Sequence, residues 1–270
     1  MYISVVILSY NSITPLERCL LHLIEALKPL EMANEIFVVD NGSTDGSVEL
    51  IESFQHKNEH LISTILFNEN KGTTYSRNAA LRQVKGEYIL IIDSDAYVTS
   101  QAITSLINYL KHNPETGIAV PRLFYRNGNF QMSCDKFPTL IHKIKRFLFL
   151  KKFEKITNYL QSAKAPISVD YAISACWMIS QKAFMDTGLF DENIFYSPED
   201  VDYCIRVWEQ GYKITYLPDV EVVHDAQELS RGFRLSMFHL HHLKGLVYLM
   251  RKHKYFWGLD NLYQRLNRIR

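Results

Sequence analysis

Asp93, Ser94 and Asp95 follow the apolar run 88–92. In an extended segment residues two apart project to the same side, so both carboxylates reach one ligand edge or one hard cation together. Such a cation, Mg²⁺ or Mn²⁺, takes few protein oxygens and shares its other positions with phosphates and water. Two more apolar runs end in polar clusters, Ser9-Tyr10-Asn11 and Asp40-Asn41-Gly42-Ser43-Thr44-Asp45. Residues of these types also end strands and cap helices for purely local reasons. All three clusters, however, fall at the carboxyl edge of one predicted sheet, which is where ligands bind in open α/β folds.

The elements that must hold these clusters alternate. Strands are expected at 2–8, 36–39, 62–67 and 88–92, apolar almost throughout. Each is followed by a helical pattern. The first opens at Pro15, with Leu16, Cys19, Leu20, Leu23, Ile24 and Leu27 at helical spacing; the others cover 47–54, 74–84 and 102–112. That rhythm predicts a parallel sheet covered on both faces, a doubly wound α/β half. After Pro114 the rhythm changes. Strands are expected at 117–121, 171–180 and 213–216, and a turn at 126–129. Helices are expected at 182–187, 199–210 and 235–251, with a basic helix or helical hairpin over 140–160. No internal repeat or low-complexity linker interrupts the chain.

The 270 residues are 47% apolar and 22% charged, the composition of a folded globular chain. Thirty basic against 29 acidic residues give no overall electrostatic case for binding nucleic acid. The balance conceals two basic pieces. Residues 142–157 carry six Lys/Arg against Glu154 alone, and residues 231–270 carry nine against Asp260 alone, so the remaining body is acidic. The four cysteines, Cys19, Cys134, Cys176 and Cys204, form no CxxC pair and read as free thiols of a reducing cytosol. The opening run has no basic segment before it and no cleavage site, so no signal peptide is expected. No apolar window reaches 18 residues, so no spanning helix is expected either.

Taken in order, the motifs Val5-Val6-Ile7-Leu8-Ser9-Tyr10-Asn11, Val38-Val39-Asp40-Asn41-Gly42-Ser43-Thr44-Asp45, Asn70-Lys71-Gly72, Ser76-Arg77-Asn78-Ala79-Ala80 and Asp93-Ser94-Asp95 resemble the nucleotide-binding half of family 2 inverting glycosyltransferases. The resemblance continues through Gly188-Leu189-Phe190-Asp191-Glu192, Glu199-Asp200-Val201-Asp202 with Arg206, Pro218, and Val222-Val223-His224. It covers roughly residues 3–230, and the ordered set is far more specific than any single piece. It implies a GT-A fold: a Rossmann-like nucleotide-sugar-binding half at 1–98 joined to a mixed acceptor-binding half at 99–230. A basic, aromatic, helical extension follows at 231–270.

Residue by residue, the resemblance implies that Ser9, Tyr10, Asn11, Asp40 and Asn41 line the nucleotide base, with Asp40 accepting from a ring N–H. Gly72 and Arg77 lie near the nucleotide and its phosphates, where Lys71 adds charge. Asp93 and Ser94 face the ribose or assist a metal, and Asp95 ligates that metal with His224 as the second protein ligand. A satisfied histidine at a strand end is the bland alternative for His224. Glu199 and Asp200 resemble the base motif, Asp200 taking the acceptor hydroxyl's proton and Glu199 orienting the acceptor. Helix starts also favour carboxylates through the dipole and capping. Asp202 reads as a first-turn helix residue. Trp177 stands where the family has an acceptor-facing residue and offers a ring face to a sugar; a core role is its alternative.

The expected partners are a nucleotide-diphosphate sugar donor, dTDP-rhamnose or a UDP-hexose, and a saccharide or lipid-linked acceptor. Cations interleave with Leu140, Ile141, Ile144, Phe147, Leu148 and Leu150, and again around Tyr255, Phe256, Trp257 and Tyr263. That composition suits an anionic membrane interface, which implies a cytoplasmic protein peripheral to the membrane's inner face. An inactive nucleotide-sugar-binding module would lack an acid at 95 or 200, and both are present. A nucleotidyltransferase would carry a Gly-rich basic loop after the first strand, and Ser9-Tyr10-Asn11-Ser12 is not one.

Overall fold

The computed structural model describes residues 2–139, 159–226, 237–256 and 258–267. Apolar, β-branched residues build β1 (Tyr2–Ser9), β2 (Ala33–Asn41), β3 (Ile62–Phe67) and β4 (Tyr88–Asp93), which pair in parallel in the order β3-β2-β1-β4. Each of the first three feeds a helix: α1 (Ile13–Leu27), α2 (Ser47–Lys57) and α3 (Thr73–Leu81). Pro15 falls in the first turn of α1, where its missing N–H costs no hydrogen bond. The short β5 (Ala96–Tyr97) and α4 (Ser100–His112) complete this half, with Thr99 Oγ1 accepting from Ala102 N to cap α4.

The second half threads the same sheet. It comprises β6 (Thr116–Phe124), β7 (Phe130–Gln131), β8 (Cys134–Asp135), β9 (Ile167–Val169), β10 (Tyr171–Ala172), β11 (Cys176–Ser180), α5 (Gln181–Thr187), α6 (Glu199–Glu209) and β12 (Lys213–His224). Beyond β4 the order runs β11-β6-β12-β5, and β8 pairs with β10 in a separate two-stranded sheet. Two helices, α7 (Met237–Lys252) and α8 (Asp260–Arg265), follow.

Two expectations are revised, and a third falls outside the described residues. The run 171–180 is two strands, because β10 pairs with β8 while β11 enters the main sheet antiparallel between β4 and β6. The last strand continues to His224 rather than stopping before Pro218; a register shift between Leu217 and Glu221 absorbs the proline. The expected basic helix at 140–160 lies outside the described residues except for Tyr159 and Leu160, which form a turn. Among the described residues no helix is long and apolar enough to cross a membrane.

Pleating sends successive residues to opposite faces and so builds two cores. Ile3, Val5 and Ile7 of β1 pack with Leu16, Leu20 and Leu23 of α1, Ile51 of α2 and Ile103 and Leu106 of α4. Val6, Val39, Ile91 and Ile179 pack on the other face with Leu81 of α3, Phe184 of α5, Tyr203 of α6, Leu249 of α7 and Leu262 of α8. Burying each such aliphatic side chain contributes about 1.5–3 kcal/mol.

Candidate active site

Strand register brings the loaded ends together. Ser9 sits opposite Asp40, and Leu8 opposite Asp93, so the three polar clusters share one edge of the sheet. The first two loops are stitched to each other. Asn11, at φ 47°, accepts from Thr44 N at 2.8 Å through its side chain and donates its own N–H to Ser43 Oγ at 2.8 Å. Asparagine tolerates that left-handed conformation better than most residues. Tyr10 beside it is 44% exposed, a free ring at the edge of the cleft.

Asp40 is buried, and its carboxylate accepts from Gly42 N at 3.0 Å, Ser43 N at 2.8 Å and Ser43 Oγ at 2.6 Å. It therefore shapes the loop that faces the ligand edge. Asn41 ties the second strand to the loop before α3, accepting from Lys71 N and Ser76 Oγ, both at 2.8 Å. Gly72, at φ 88°, has no room for a side chain, since a Cβ there would meet Phe195 O at 2.6 Å. Ser9, Ser12 and Ser94 form a chain of hydroxyls at 3.1 and 3.0 Å behind the acidic pair.

Asp93 ends β4 while Asp95 precedes β5, so Asp93-Ser94-Asp95 bridges the middle of the sheet and the end of β12. His224, the last residue of β12, meets the pair there. Its Nε2 lies 3.1 Å from Asp95 Oδ1 and 3.9 Å from Asp93 Oδ2. One ligand atom from each of Asp93, Asp95 and His224 falls within 4.8 Å of the others. The backbone seals the corner through Asp225 N, which donates to Asp95 O at 2.8 Å.

On the far side of the imidazole, Nδ1 lies 2.9 Å from Gln131 Oε1, and this acceptor assigns the ring proton to Nδ1. Nε2 faces the two carboxylates, donating to Asp95 when it carries a proton and open to a cation when that proton is displaced. Two carboxylate oxygens and an imidazole nitrogen in this spacing are a donor set that fits Mn²⁺ or Mg²⁺. Burial lowers the proton affinity of His224, but the hydrogen bond that its ring donates to Asp95 and the charges of Asp95 and Asp93 raise it above the ordinary histidine value. Burial also raises the Asp93 carboxyl, against the pull of Arg77 and His224.

Arg77 lies behind this cluster, only 3% exposed. Its Nη2 donates to Asp93 Oδ1 at 2.6 Å and its Nη1 to Ser174 Oγ at 2.6 Å, while Nη1 stands 3.6 Å from Glu199 Oε1. It thus joins Asp93 to the buried Glu199, whose own carboxyl burial raises. A cavity of about 240 Å³ opens between them, lined by Arg77, Asp93, Ser174, Tyr196, Glu199 and Asp200. Asp200 Oδ1 accepts from Val201 N at 2.7 Å.

Trp177 is corrected. It is fully buried in β11 and packs on Phe190 and Tyr203 with ring centroids 6.2 and 5.8 Å away, so its ring offers no face to a sugar. Gln131 and Tyr196 stand at the site without having been singled out, and Ser174, which opens the stretch around Trp177, lines the cavity in its place. The sequence carries no signal for Gln131, which sits on a two-residue strand.

The model of the family described as "Glycosyl transferase family 2" matches residues 4–188. Over 254 residues, 87% of this chain and 82% of the relative, the chain is 26% identical to an N-acetylglucosaminyl-diphospho-decaprenol L-rhamnosyltransferase of Mycobacterium tuberculosis. It is 36% identical to a poly(ribitol-phosphate) beta-glucosyltransferase of Bacillus spizizenii, over 47% of this chain and 20% of that one. Among solved structures, a mannosyltransferase from Pyrobaculum calidifontis in complex with GDP-Man and Mn²⁺ superposes with a TM-score of 0.68 at 19% identity. The alignment covers 98% of this chain and 68% of that one, and such neighbours establish a GT-A fold. By its family match, its fold and the ordered acids of its cleft, the chain belongs to glycosyl transferase family 2.

Proposed function

We propose that this glycosyltransferase moves one sugar, with inversion, from a nucleotide-diphosphate sugar to a saccharide or lipid-linked acceptor in cell-surface polysaccharide synthesis. The observation that carries the reading is the opening of one cleft onto both Asp93, within the Asp93–Asp95–His224 cluster, and Asp200. Tyr10 and the loop shaped by Asp40 hold the nucleotide base. Asp95 and His224, with Asp93, would hold a divalent cation. When bound, such a cation supplies positive charge to a departing diphosphate without any proton transfer. Asp200 takes the proton of the acceptor hydroxyl, and Glu199, fixed 3.6 Å from Arg77, orients the acceptor. Arg77 keeps the two halves of the cleft in register, which serves the alignment on which displacement depends.

The relatives' names support dTDP-rhamnose as the first donor, since one of them is an L-rhamnosyltransferase acting on a lipid-diphosphate-linked sugar. A UDP-hexose is the second, because TarS of S. aureus, with a TM-score of 0.61 to this fold, was solved with UDP-GlcNAc. A lipid-linked acceptor gives the basic segments a place at the inner face of the membrane.

A thermal-shift panel of UDP, GDP, dTDP and CDP, with and without Mn²⁺, tests the reading on the wild type and on Asp95→Ala. A ligand that binds only the folded state raises its stability by mass action. One diphosphate should stabilise the wild type in a Mn²⁺-dependent way and leave Asp95→Ala unmoved. If no diphosphate shifts the wild type, the transferase reading fails.

A further inference from the structure

The first turn of α6 carries both carboxylates of the base motif, and its own support is only local: Asp200 Oδ1 accepts from Val201 N, and the Glu199 carboxylate is hydrogen-bonded by the backbone of Glu199 and Ser197. Pro198 occupies the N-cap position and gives no side-chain hydrogen bond. An uncapped first turn leaves N–H groups without helical partners and frays readily. The residue before it, Ser197, is a non-glycine at φ 34°, a conformation that persists only where neighbours hold it.

Those neighbours come from the end of the chain. His242 of α7 lies 2.9 Å from Ser197 Oγ through its Nδ1. Three residues on, Gly245 brings helix backbone directly against the same peptide. A Cβ at 245 would lie 2.5 Å from Ser197 O and 2.9 Å from Pro198 Cδ.

The second grip falls just beyond the motif. Asp202 is 1% exposed and receives Lys252 Nζ at 2.7 Å and His253 Nε2 at 2.8 Å, besides Arg206 Nε at 3.0 Å from its own helix. Lys252 also reaches Asp191 Oδ2 at 2.6 Å. On the opposite side, α3 holds the approach to the motif: Thr73 N donates to Phe195 O at 2.8 Å and Thr74 Oγ1 to Ile194 O at 2.7 Å.

We infer that α7 is a clamp on the base motif, with His242 and Gly245 gripping Ser197 two residues before Glu199, and Lys252 and His253 gripping Asp202 two residues after Asp200. None of these four residues lines the cleft, so they are positioning residues. Their purpose as a clamp rests on the proposed transferase reading. The clamp accounts for Asp202, which the chemistry leaves without a task. It also explains why glycine occupies the middle of a helix, where it otherwise weakens the element.

Gly245→Ala tests the clamp by pushing the helix off Ser197. Three readouts separate positioning from general damage. Hydrolysis of dTDP-rhamnose to dTDP and of UDP-glucose to UDP, with water taking the sugar in place of the acceptor, gives kcat. Titration of dTDP and UDP in Mn²⁺ gives donor-side affinity. Hydrogen exchange across residues 194–201 reads the motif directly. Small displacements of reacting groups are costly, so kcat should fall about ten- to a hundredfold. Nucleotide affinity should stay within about twofold, because that side of the cleft is untouched. Exchange at 194–201 should rise about tenfold as the uncapped turn opens. A folded variant with unchanged exchange in that segment overturns the clamp, as does a loss of nucleotide affinity that matches the loss of kcat. Should Gly245→Ala fail to fold, His242→Ala, which removes the hydrogen bond to Ser197, carries the same expectations. A wild type that releases neither nucleotide removes those two donors, and the exchange comparison still decides whether the clamp exists.

Discussion

His224 offers one nitrogen to the acidic pair because Gln131 occupies the other. Replacing that acceptor frees the ring to rotate and to change tautomer. Gln131→Leu should weaken Mn²⁺ binding about 10- to 100-fold while the fold stays intact, measured by Mn²⁺ titration in the presence of the stabilising diphosphate. Asp200→Asn keeps the size of the side chain and removes the base. Turnover should drop about 10²- to 10⁴-fold with nucleotide affinity preserved, the split expected of a group acting on the proton alone. The acids of the site were legible in the sequence because carboxylates two apart after an apolar run, and Glu199-Asp200 before a helix, stand out as types in a fixed order. Gln131 and Ser174 were not. A glutamine and a serine serve the site here only because folding brings β7 under His224 and residue 174 beside Arg77, and neither contact leaves a pattern in the chain. Trp177 shows the reverse failure. Aromatic character beside a small polar stretch suggested a sugar platform, but β11 is enclosed by packed layers on both faces, so the ring went inward.

The helices at the end of the chain are held to α6 by buried charge. His253 is 3% exposed, with Asp202 against Nε2 and Glu209 3.6 Å from Nδ1; Arg206, Lys252 and Arg265 surround the same carboxylates. Burial alone would lower the proton affinity of His253, but the bonds to Asp202 and Glu209 outweigh it and raise the pKa above the ordinary value. Burial pushes the Asp202 carboxyl up, and the bonds to His253 and Lys252 with the charge of Arg206 bring it below the ordinary value; Glu209 is lowered chiefly by its bond to His253. The signs then set a window. The imidazolium contributes fully below the ordinary histidine pKa of about 6.5 and is lost as pH rises through its raised folded value. The carboxylates contribute fully above their ordinary pKa of about 4 and are lost as pH falls through their lowered folded values. Attachment of α7 and α8 should therefore be strongest between those limits and loosen on the alkaline side. Hydrogen exchange in residues 242–265, followed from pH 6 upward after correction for intrinsic rates, should rise faster than in α1, and His253→Gln should flatten the difference. The first four strands and the helices that follow them were readable from periodicity, since each strand is a largely apolar run, buried on both faces in β1, β2 and β4, even though β4 finds its parallel partner in the distant β1. The later strands were readable in part: β6 was expected at 117–121, but the limits of β11 and β12 were not legible, because these owe their lengths and places to partners far away in sequence.

Across the molecule, charge is nearly balanced in total and uneven in distribution, with the basic pieces at 142–157 and 231–270. Attraction of such segments to anionic lipid is screened by salt. The chain should co-sediment with phosphatidylserine-containing vesicles at low ionic strength and dissociate as salt rises, while neutral vesicles recover little of it. Equal recovery on both kinds of vesicle would remove the electrostatic basis of the membrane proposal.

The sheet order has a consequence for biosynthesis. Chains grow from the N-terminus, and the elements through α4 can begin to assemble while the rest is still being made. At that stage Asp93 and Asp95 exist, but β11 is missing from the flank of β4, and neither Gln131 nor His224 has been joined to the acids. The imidazole arrives on the last strand, 129 residues after Asp95 by the numbering of the chain. A ribosome-bound fragment therefore carries most of a Rossmann half and none of the completed cation pocket. On the proposed reading, cation-dependent capture of donor waits until translation has passed β12, so interrupted products should leave the cell's pool of activated sugars untouched.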